Sequence, residues 1–304
     1  MMNLKGFQNL IKTPDFTTAS NLEVLILEGC TKLVDIHLSI GVLKSLKLLN
    51  LRDYRSLRTL PTKIGMESLE TLIPSGCSSL IRFPEINGKM ERLSSLRKLK
   101  LRDCNLGEGD IPRDISCLSS LTDLGLSDCK MLKSLPELPS IKEVWIDGCS
   151  SLEVVPSPLI CNPVYGATVK AISCFKLAEN INALTLLEKH LKAFANSRKP
   201  FDIVKPGSEI PEWFGQQKSG SSIKIPQPIN VRNDSQWIGV ACCCIFVDDD
   251  ASSEIISCNG SILYRNFQQA THKLYRDRSR GGKVKKCGIR IVYEKDLEEI
   301  KELQ

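Results

Sequence analysis

The chain has 304 residues, 42% of them apolar and 25% charged, with a net charge of +6; this length allows about two domains. So mild an excess of positive charge does not argue for a nucleic-acid protein, and the longest apolar run, Trp237 to Val247, is too short to cross a bilayer as a helix. Its thirteen cysteines are odd in number and no secretion signal opens MMNLKGFQNL, which predicts reduced thiols in a soluble cytoplasmic or nuclear protein rather than a disulfide framework.

From Leu22 to Leu152 one phrase recurs six times, with apolar residues at positions 1, 4, 6 and 12 and usually cysteine at 9. The copies read Leu22, Leu25, Leu27, Cys30, Leu33; Leu46, Leu49, Leu51, Tyr54, Leu57; Leu69, Leu72, Pro74, Cys77, Leu80; Leu96, Leu99, Leu101, Cys104; Leu121, Leu124, Leu126, Cys129, Leu132; and Ile141, Val144, Ile146, Cys149, Leu152. Their starts lie 24, 23, 27, 25 and 20 residues apart, the period of a leucine-rich-repeat solenoid in which each coil adds one strand. Ahead of them Met2, Leu4, Phe7 and Leu10 match positions 4, 6, 9 and 12 of a phrase whose opening is missing. The expectation is a chain that starts inside a repeat, a piece or a shortened form of something longer.

One coil cannot bury its leucines alone, so copies must stack. The position-9 cysteines should form a column of small buried groups where the chain leaves the strand. Apolar-Pro pairs at Leu60-Pro61, Phe83-Pro84, Ile111-Pro112, Leu135-Pro136 and Val155-Pro156 suit irregular outer segments. Pro74 replaces an inward leucine and cannot donate to a ladder, which predicts a local break or bulge in the third copy.

Strand alternation assigns the side chains that do not serve the core. They are Val24, Ile26 and Glu28; Leu48, Asn50 and Arg52; Thr71, Ile73 and Ser75; Lys98, Lys100 and Arg102; Asp123, Gly125 and Ser127; and Glu143, Trp145 and Asp147. The fourth set is a basic rung. Asp123, Glu143 and Asp147 form an acidic patch around an outward Trp145, and Trp145 with Arg102 is the preferred hot-spot pair. The competing reading makes these ordinary solvated residues, with Trp145 packed on the connector.

Beyond Pro156 the repeat grammar is expected to stop. Ser157 to Pro163 is linker-like, and Ala183 to Ala195 has the spacing of a short amphipathic helix. From Phe201 onward, strand candidates alternate with turn signals: Phe201 to Val204, Ser222 to Ile225, Trp237 to Val247, Ser261 to Tyr264 and Gly288 to Tyr293. Glu294 to Gln304 is charged and should end the domain as a loop or short helix. The divisions are therefore 1–156 repeats, 157–200 connector, 201–295 β domain and 296–304 tail. The fold class is an α/β leucine-rich-repeat solenoid, its parallel sheet on the concave face, followed by an antiparallel β-sandwich or jelly-roll domain.

Phe201-Asp-Ile-Val-Lys-Pro-Gly-Ser-Glu-Ile-Pro-Glu-Trp-Phe214, then Gly220-Ser-Ser-Ile223, Trp237-Ile-Gly239 and Cys287-Gly-Ile-Arg-Ile-Val-Tyr293, resemble the C-JID domain that follows the repeats of plant TIR-NBS-LRR disease-resistance receptors. Thr13-Pro-Asp-Phe16, Leu22-Glu-Val-Leu-Ile-Leu-Glu-Gly-Cys30 and Cys174-Phe-Lys-Leu177 resemble the repeats and connector of the same class. The resemblance implies a recognition module: repeats and C-JID domain bind a pathogen effector, which releases a nucleotide-binding domain to oligomerise and a TIR domain to cleave NAD. The partners it implies are that effector and the receptor's nucleotide-binding domain, with no membrane and no cofactor. No G-x-x-x-x-G-K-[ST] phosphate loop is written in this chain, so no enzymatic activity of its own is expected.

Within the C-JID-like string, Pro206, Gly207, Ser208, Glu209, Ile210, Pro211, Trp213, Phe214, Gly220, Trp237 and Gly239 are assigned mainly structural roles. Gly207 and Gly220 should serve backbone conformations that other residues resist. Cys242 to Cys244 are read as buried thiols, since neighbours in a strand face opposite sides and no histidine or second cysteine pair lies at ligand spacing. Arg276 to Lys286 is either a solvated hairpin or a nucleic-acid patch, the hairpin being preferred. His37, His190 and His272 are scattered without a neighbouring nucleophile. Alternative functions are a stand-alone repeat scaffold or decoy and, further off, a nucleic-acid-associated protein using the basic segment.

Overall fold

The structure is a computed structural model and describes residues 1–58, 66–80, 93–111, 113–139, 141–155, 167–180, 201–220, 237–247, 254–261 and 283–302. The predicted helix at 183–195, the strand at 222–225, the Pro61, Pro84, Pro112 and Pro156 pairs and most of the basic 276–286 segment lie outside these residues. Two compact units result, Met1–Ile160 and Cys161–Gln304.

In the first unit the strands are β1 (Met2–Asn3), β2 (Val24–Ile26), β3 (Leu48–Asn50), β4 (Thr71–Ile73), β5 (Lys98–Lys100), β6 (Asp123–Gly125) and β7 (Glu143–Trp145). Each pairs in parallel with the next. The middle residue of β2 to β7, Leu25, Leu49, Leu72, Leu99, Leu124 or Val144, is buried, and its two neighbours are half-buried or exposed. The ladder continues past the strands. Position-6 amides donate to position-5 carbonyls of the next coil (Leu27 to Asn50, 2.8 Å; Leu101 to Gly125, 2.6 Å), and position-8 amides donate to position 7 (Gly29 to Arg52, 2.9 Å; Asp128 to Asp147, 2.7 Å).

The cysteine column is more than filler. Five position-9 thiols donate to the position-6 carbonyl of the preceding coil: Cys30 to Leu4 (3.1 Å), Cys77 to Leu51 (3.4 Å), Cys104 to Pro74 (3.1 Å), Cys129 to Leu101 (3.1 Å) and Cys149 to Leu126 (3.1 Å). These bonds join the position-2 amides, which also donate to the preceding coil (Lys47 to Glu23, 2.7 Å; Thr122 to Arg97, 2.9 Å), in tying each coil back to the one before it. Burial pushes the thiol of Cys77 up to about 12 and that of Cys129 to about 11, which keeps them protonated donors. Tyr54, in the same column, is also buried and raised to about 12, burial again being the main cause. Phe7, at position 9 of the first phrase, departs from the column and is exposed.

Just before the column every coil passes through the left-handed region, at Gly6, Gly29, Asp53, Gly76, Asp103, Asp128 and Gly148. Glycine and aspartate tolerate it best. The Asp53 carboxylate lies where a Cβ on Gly76 would be, and Asp128 does the same over Gly148. A glycine therefore follows these two aspartates in the next coil.

The break predicted at Pro74 is confined to a single rung. β4 pairs with both neighbours; the loss is one rung, since only Thr71 and Leu72 register with β5. The hydroxyl of Ser75 donates to the Lys100 carbonyl at 2.9 Å and supplies the bond that the proline nitrogen cannot.

The second unit holds β8 (Ala167–Lys170), α1 (Phe175–Asn180), β9 (Phe201–Pro206), β10 (Gln216–Ser219), β11 (Trp237–Val247), β12 (Glu254–Ser261), β13 (Lys283–Tyr293) and α2 (Glu294–Glu302). Its sheet runs β8-β9-β12-β11-β13-β10, parallel at β8–β9 and antiparallel at every other pairing. Of the strand expected at Ser261–Tyr264 only Ser261 is among the described residues, as the last residue of β12. Lys283 to Lys286, expected in a solvated hairpin, belong to β13. The predicted boundary at 296 falls inside α2.

The repeat grammar does not end at Pro156. Val169, Ala171, Cys174 and Leu177 occupy positions 4, 6, 9 and 12 of another phrase and are all buried. Ser173 is left-handed, and the Cys174 amide bonds the Ala171 carbonyl at 3.3 Å, as that of Cys149 bonds Ile146. Small residues in place of leucines hid this coil in the sequence.

Candidate recognition surface

The register sets the non-core side chains of the repeats in three rows across the sheet. The first holds Val24, Leu48, Thr71, Lys98, Asp123 and Glu143; the second Ile26, Asn50, Ile73, Lys100, Gly125 and Trp145. Glu28, Arg52, Ser75, Arg102, Ser127 and Asp147 follow the strands as a third. Half-buried apolar groups dominate at β2 to β4; at β5 Lys98, Lys100 and Arg102 are exposed.

These residues differ in how far they are already committed. Glu28 is held by Lys5 at 2.9 Å and by the Asn50 amide at 3.0 Å, and Lys5 is the main cause of its lowered pKa. Ser75, expected to point outward, is buried and bonded to the sheet. Arg102 of the preferred hot-spot pair reaches Asp128 at 3.0 Å. Asp123 accepts from the Thr122 hydroxyl, and Glu143 takes the Trp145 indole N–H at 3.3 Å with Lys142 at 3.6 Å. Lys98 and Lys100 make no side-chain hydrogen bond or ion pair among the described residues. Trp145 is 38% exposed beside Gly125. The predicted basic rung and acidic patch are thus adjacent, but the unmatched charge among them is on the lysines.

Elsewhere, folding brings a serine and an aspartate to His37. Its Nδ1 lies 2.7 Å from Ser39 Oγ and 3.7 Å from Asp15 Oδ1. The composition is that of a hydrolase triad, but the geometry is not. Both partners share one ring nitrogen, whereas a triad needs the base between them on opposite nitrogens. Ser39 is buried and accepts the Phe16 amide at 2.7 Å, while Thr13 Oγ1 accepts the His37 amide at 2.8 Å. Asp15, lowered to about 2 chiefly by its hydrogen bond from the Thr17 hydroxyl, also accepts the Thr17 amide. The Thr-Pro-Asp-Phe string therefore ties one coil to the 3-10 turn Leu38–Val42 of the next.

In the second unit Ile210, Trp213 and Phe214 are buried; Gly207 and Pro211 are half-buried, and Ser208 and Glu209 are exposed. Gly220 has φ +94, in line with the role expected for it. Pro206 ends β9 and Trp237 opens β11; Gly239 is buried. Two residues that the sequence reading did not single out hold the string in place. Gly288 offers it a floor, since a Cβ there would stand 2.8 Å from Ile210 Cγ2 and 3.0 Å from Phe214 Cβ. Arg290 donates to the Trp213 carbonyl at 2.8 Å, stacks 4.7 Å from the Trp213 ring centre and pairs with Asp296 at 2.9 Å and with Glu299. A charge amid Ile289-Arg-Ile-Val292 was the available signal.

Cys242, Cys243 and Cys244 are all buried, so both faces of β11 are covered. Register opposes Cys243 to Cys258 and Cys244 to Cys287, partners that sequence spacing did not show. Cys287 donates to the Gly220 carbonyl at 2.9 Å, and its pKa is lowered mainly by a hydrogen bond with Cys244. Among the described residues no group of three or more His, Cys, Asp or Glu is arranged to hold a metal ion, and no helix is long and apolar enough to cross a membrane.

A parallel leucine-rich solenoid followed by a largely antiparallel β unit defines the class. Residues 205–298 match the C-JID domain family. The chain is 42% identical over 205 residues to disease resistance-like protein DSC1 of Arabidopsis thaliana, covering 60% of this chain and 16% of that protein. It is 36% identical over 258 residues to disease resistance protein RML1B of the same plant, covering 74% and 24%. With TMV resistance protein N of Nicotiana glutinosa it shares 32% identity over 275 residues, covering 79% and 24%. The leucine-rich repeat domain of the type III effector XCV3220 (XopL) is a similar solved structure, with TM-score 0.44 and 19% identity over 57% of this chain and 71% of that one. The chain is related to plant disease-resistance proteins, in their repeat and C-JID region, and spans a quarter or less of the length of the three relatives named.

Proposed function

We propose that this chain is the recognition region of an intracellular plant immune receptor, working in the cytoplasm and in the nucleus. The outward rows of β2 to β7 bind a pathogen effector together with the C-JID unit, and binding is passed to a nucleotide-binding domain and a TIR domain of the same receptor. We assign the repeats to 1–156, with one further coil inside the connector 157–200, the C-JID domain to 201–295 and the tail to 296–304, α2 running from the domain into the tail. The reading gives the chain no catalytic role and no cofactor.

The observation that carries the proposal is the exposed Trp145 on β7 with the exposed Lys98 and Lys100 on β5, separated by β6 on one sheet whose core does not use them. Exposed aromatics and cations fixed on a scaffold are the usual anchors of protein interfaces. Panning a yeast-displayed library of secreted proteins from plant pathogens on the full chain tests it. At least one protein should be captured and lose its binding to Trp145→Ala while keeping it to Leu38→Asp, a change on the exposed 3-10 turn. Capture that ignores Trp145→Ala and every charge on β5 sinks the proposal.

A further inference from the structure

Gly125 sits between Lys100 and Trp145 in the second row, and nothing in the fold requires a glycine there. Its φ is not left-handed, and the nearest atoms a Cβ would meet are the Lys100 Cα and Cγ at 3.8 Å and the Leu99 carbonyl at 3.9 Å, ordinary contact distances. Glycine weakens a strand interior and often marks close approach by another group. The missing side chain leaves a notch with an aliphatic lysine stem on one side and an exposed indole on the other.

The charges around the notch decide what enters. Asp123, Glu143 and Asp128 are each engaged by Thr122, by Trp145 with Lys142, and by Arg102, and Asp147 also has a partner. Lys98 and Lys100 are exposed and unmatched among the described residues. They stand two residues apart on one strand, the same spacing at which an extended segment presents alternate side chains.

We infer that this surface reads an extended acidic segment of its protein partner, with carboxylates two residues apart on Lys98 and Lys100 and a neighbouring bulky apolar or aromatic side chain filling the Gly125 notch against Trp145. The inference rests on the outward rows being the recognition surface, and adds the chemistry that they select. A charge-assisted pair at each lysine gives register; the desolvated ring contact in the notch supplies the anchor.

Phage-displayed random dodecapeptides panned on the full chain test it. Enriched peptides should carry Asp or Glu at i and i+2 beside Phe, Tyr, Trp or Leu. A synthetic enriched peptide should bind at least tenfold more weakly to Gly125→Leu and to the double variant Lys98→Ala/Lys100→Ala, within twofold to Arg55→Ala, and more weakly as salt rises. Circular dichroism confirms that each variant is folded, and Gly125→Ala gives a milder fill of the same notch. Basic enrichment, no enrichment, or peptides indifferent to Gly125→Leu overturn the inference. A secreted protein that loses binding to Trp145→Ala but tolerates Gly125→Leu and the lysine variants overturns it while leaving the proposed function standing.

Discussion

Cys129→Ala tests the thiol ladder at its most enclosed point. Cys129 has no exposed surface, and its thiol donates to the Leu101 carbonyl at 3.1 Å. Truncation removes a buried group of about one methylene's worth of transfer energy, ~0.8 kcal/mol, and a hydrogen bond worth about 1 kcal/mol net, leaving the carbonyl without that donor. The total is about 2 kcal/mol, or roughly a 30-fold fall in hydrogen-exchange protection where exchange follows the unfolding of this region. Peptide-resolved exchange on the full chain should show the fall over β5 to β7 and none over β11 to β13. Cys129→Ser separates bonding from packing. A hydroxyl keeps the donor, so serine should cost less than alanine; if the site wants only an apolar filler, serine should cost more. Serine no better than alanine, or an alanine effect below about twofold, refutes the ladder as a coil-to-coil tie.

Other outcomes follow from the same geometry. Cys77 and Cys129, raised from an ordinary value of 9 to about 12 and about 11, and Tyr54, raised from 10 to about 12, stay protonated when folded but ionise earlier when unfolded. Stability of the repeat unit should therefore hold below pH 9 and decline from there to about pH 12 by about 1.4 kcal/mol per pH unit for each group titrating; thermal melts unchanged up to pH 11 would contradict this. Arg290→Ala leaves Asp296 buried without its partner and should cost the C-JID unit about 3–5 kcal/mol. Arg290→Lys should recover little, because an ammonium cannot make the same fork over Trp213; both are read by chemical denaturation. Gly288→Ala should destabilise through its contacts with Ile210 and Phe214, whereas Gly125→Ala should be neutral or stabilise by about 0.5–1 kcal/mol, a contrast visible in paired melting curves.

What the sequence disclosed follows from which interactions are periodic. Leu25, Leu49, Leu99 and Leu124 fill equivalent places, so period alone assigned the strands, the inward residues and the outward rows. The coil at Val169 to Leu177 escaped because alanine and valine there bury too little to look like the leucine phrase. Pro74 by itself predicts a break, since residue type alone does not show that the Ser75 hydroxyl stands in for one amide. Side-chain commitments across coils were equally hidden. Asp128 takes up Arg102, Ser39 meets His37 on the nitrogen that Asp15 approaches, and Cys244 faces Cys287 through strand register rather than spacing. The C-JID string announced itself by residue type, whereas its supports, Gly288 and Arg290, became evident only when β13 was placed beneath it.

The most direct test of the proposed recognition role is a hydrogen-exchange footprint of a captured pathogen protein on the full chain. Added protection should centre on β5 to β7, across Lys98–Lys100, Asp123–Gly125 and Glu143–Trp145, with a second zone in the C-JID unit. A footprint confined to the outer turns, such as Leu38–Val42, with β5 to β7 unchanged would contradict the account.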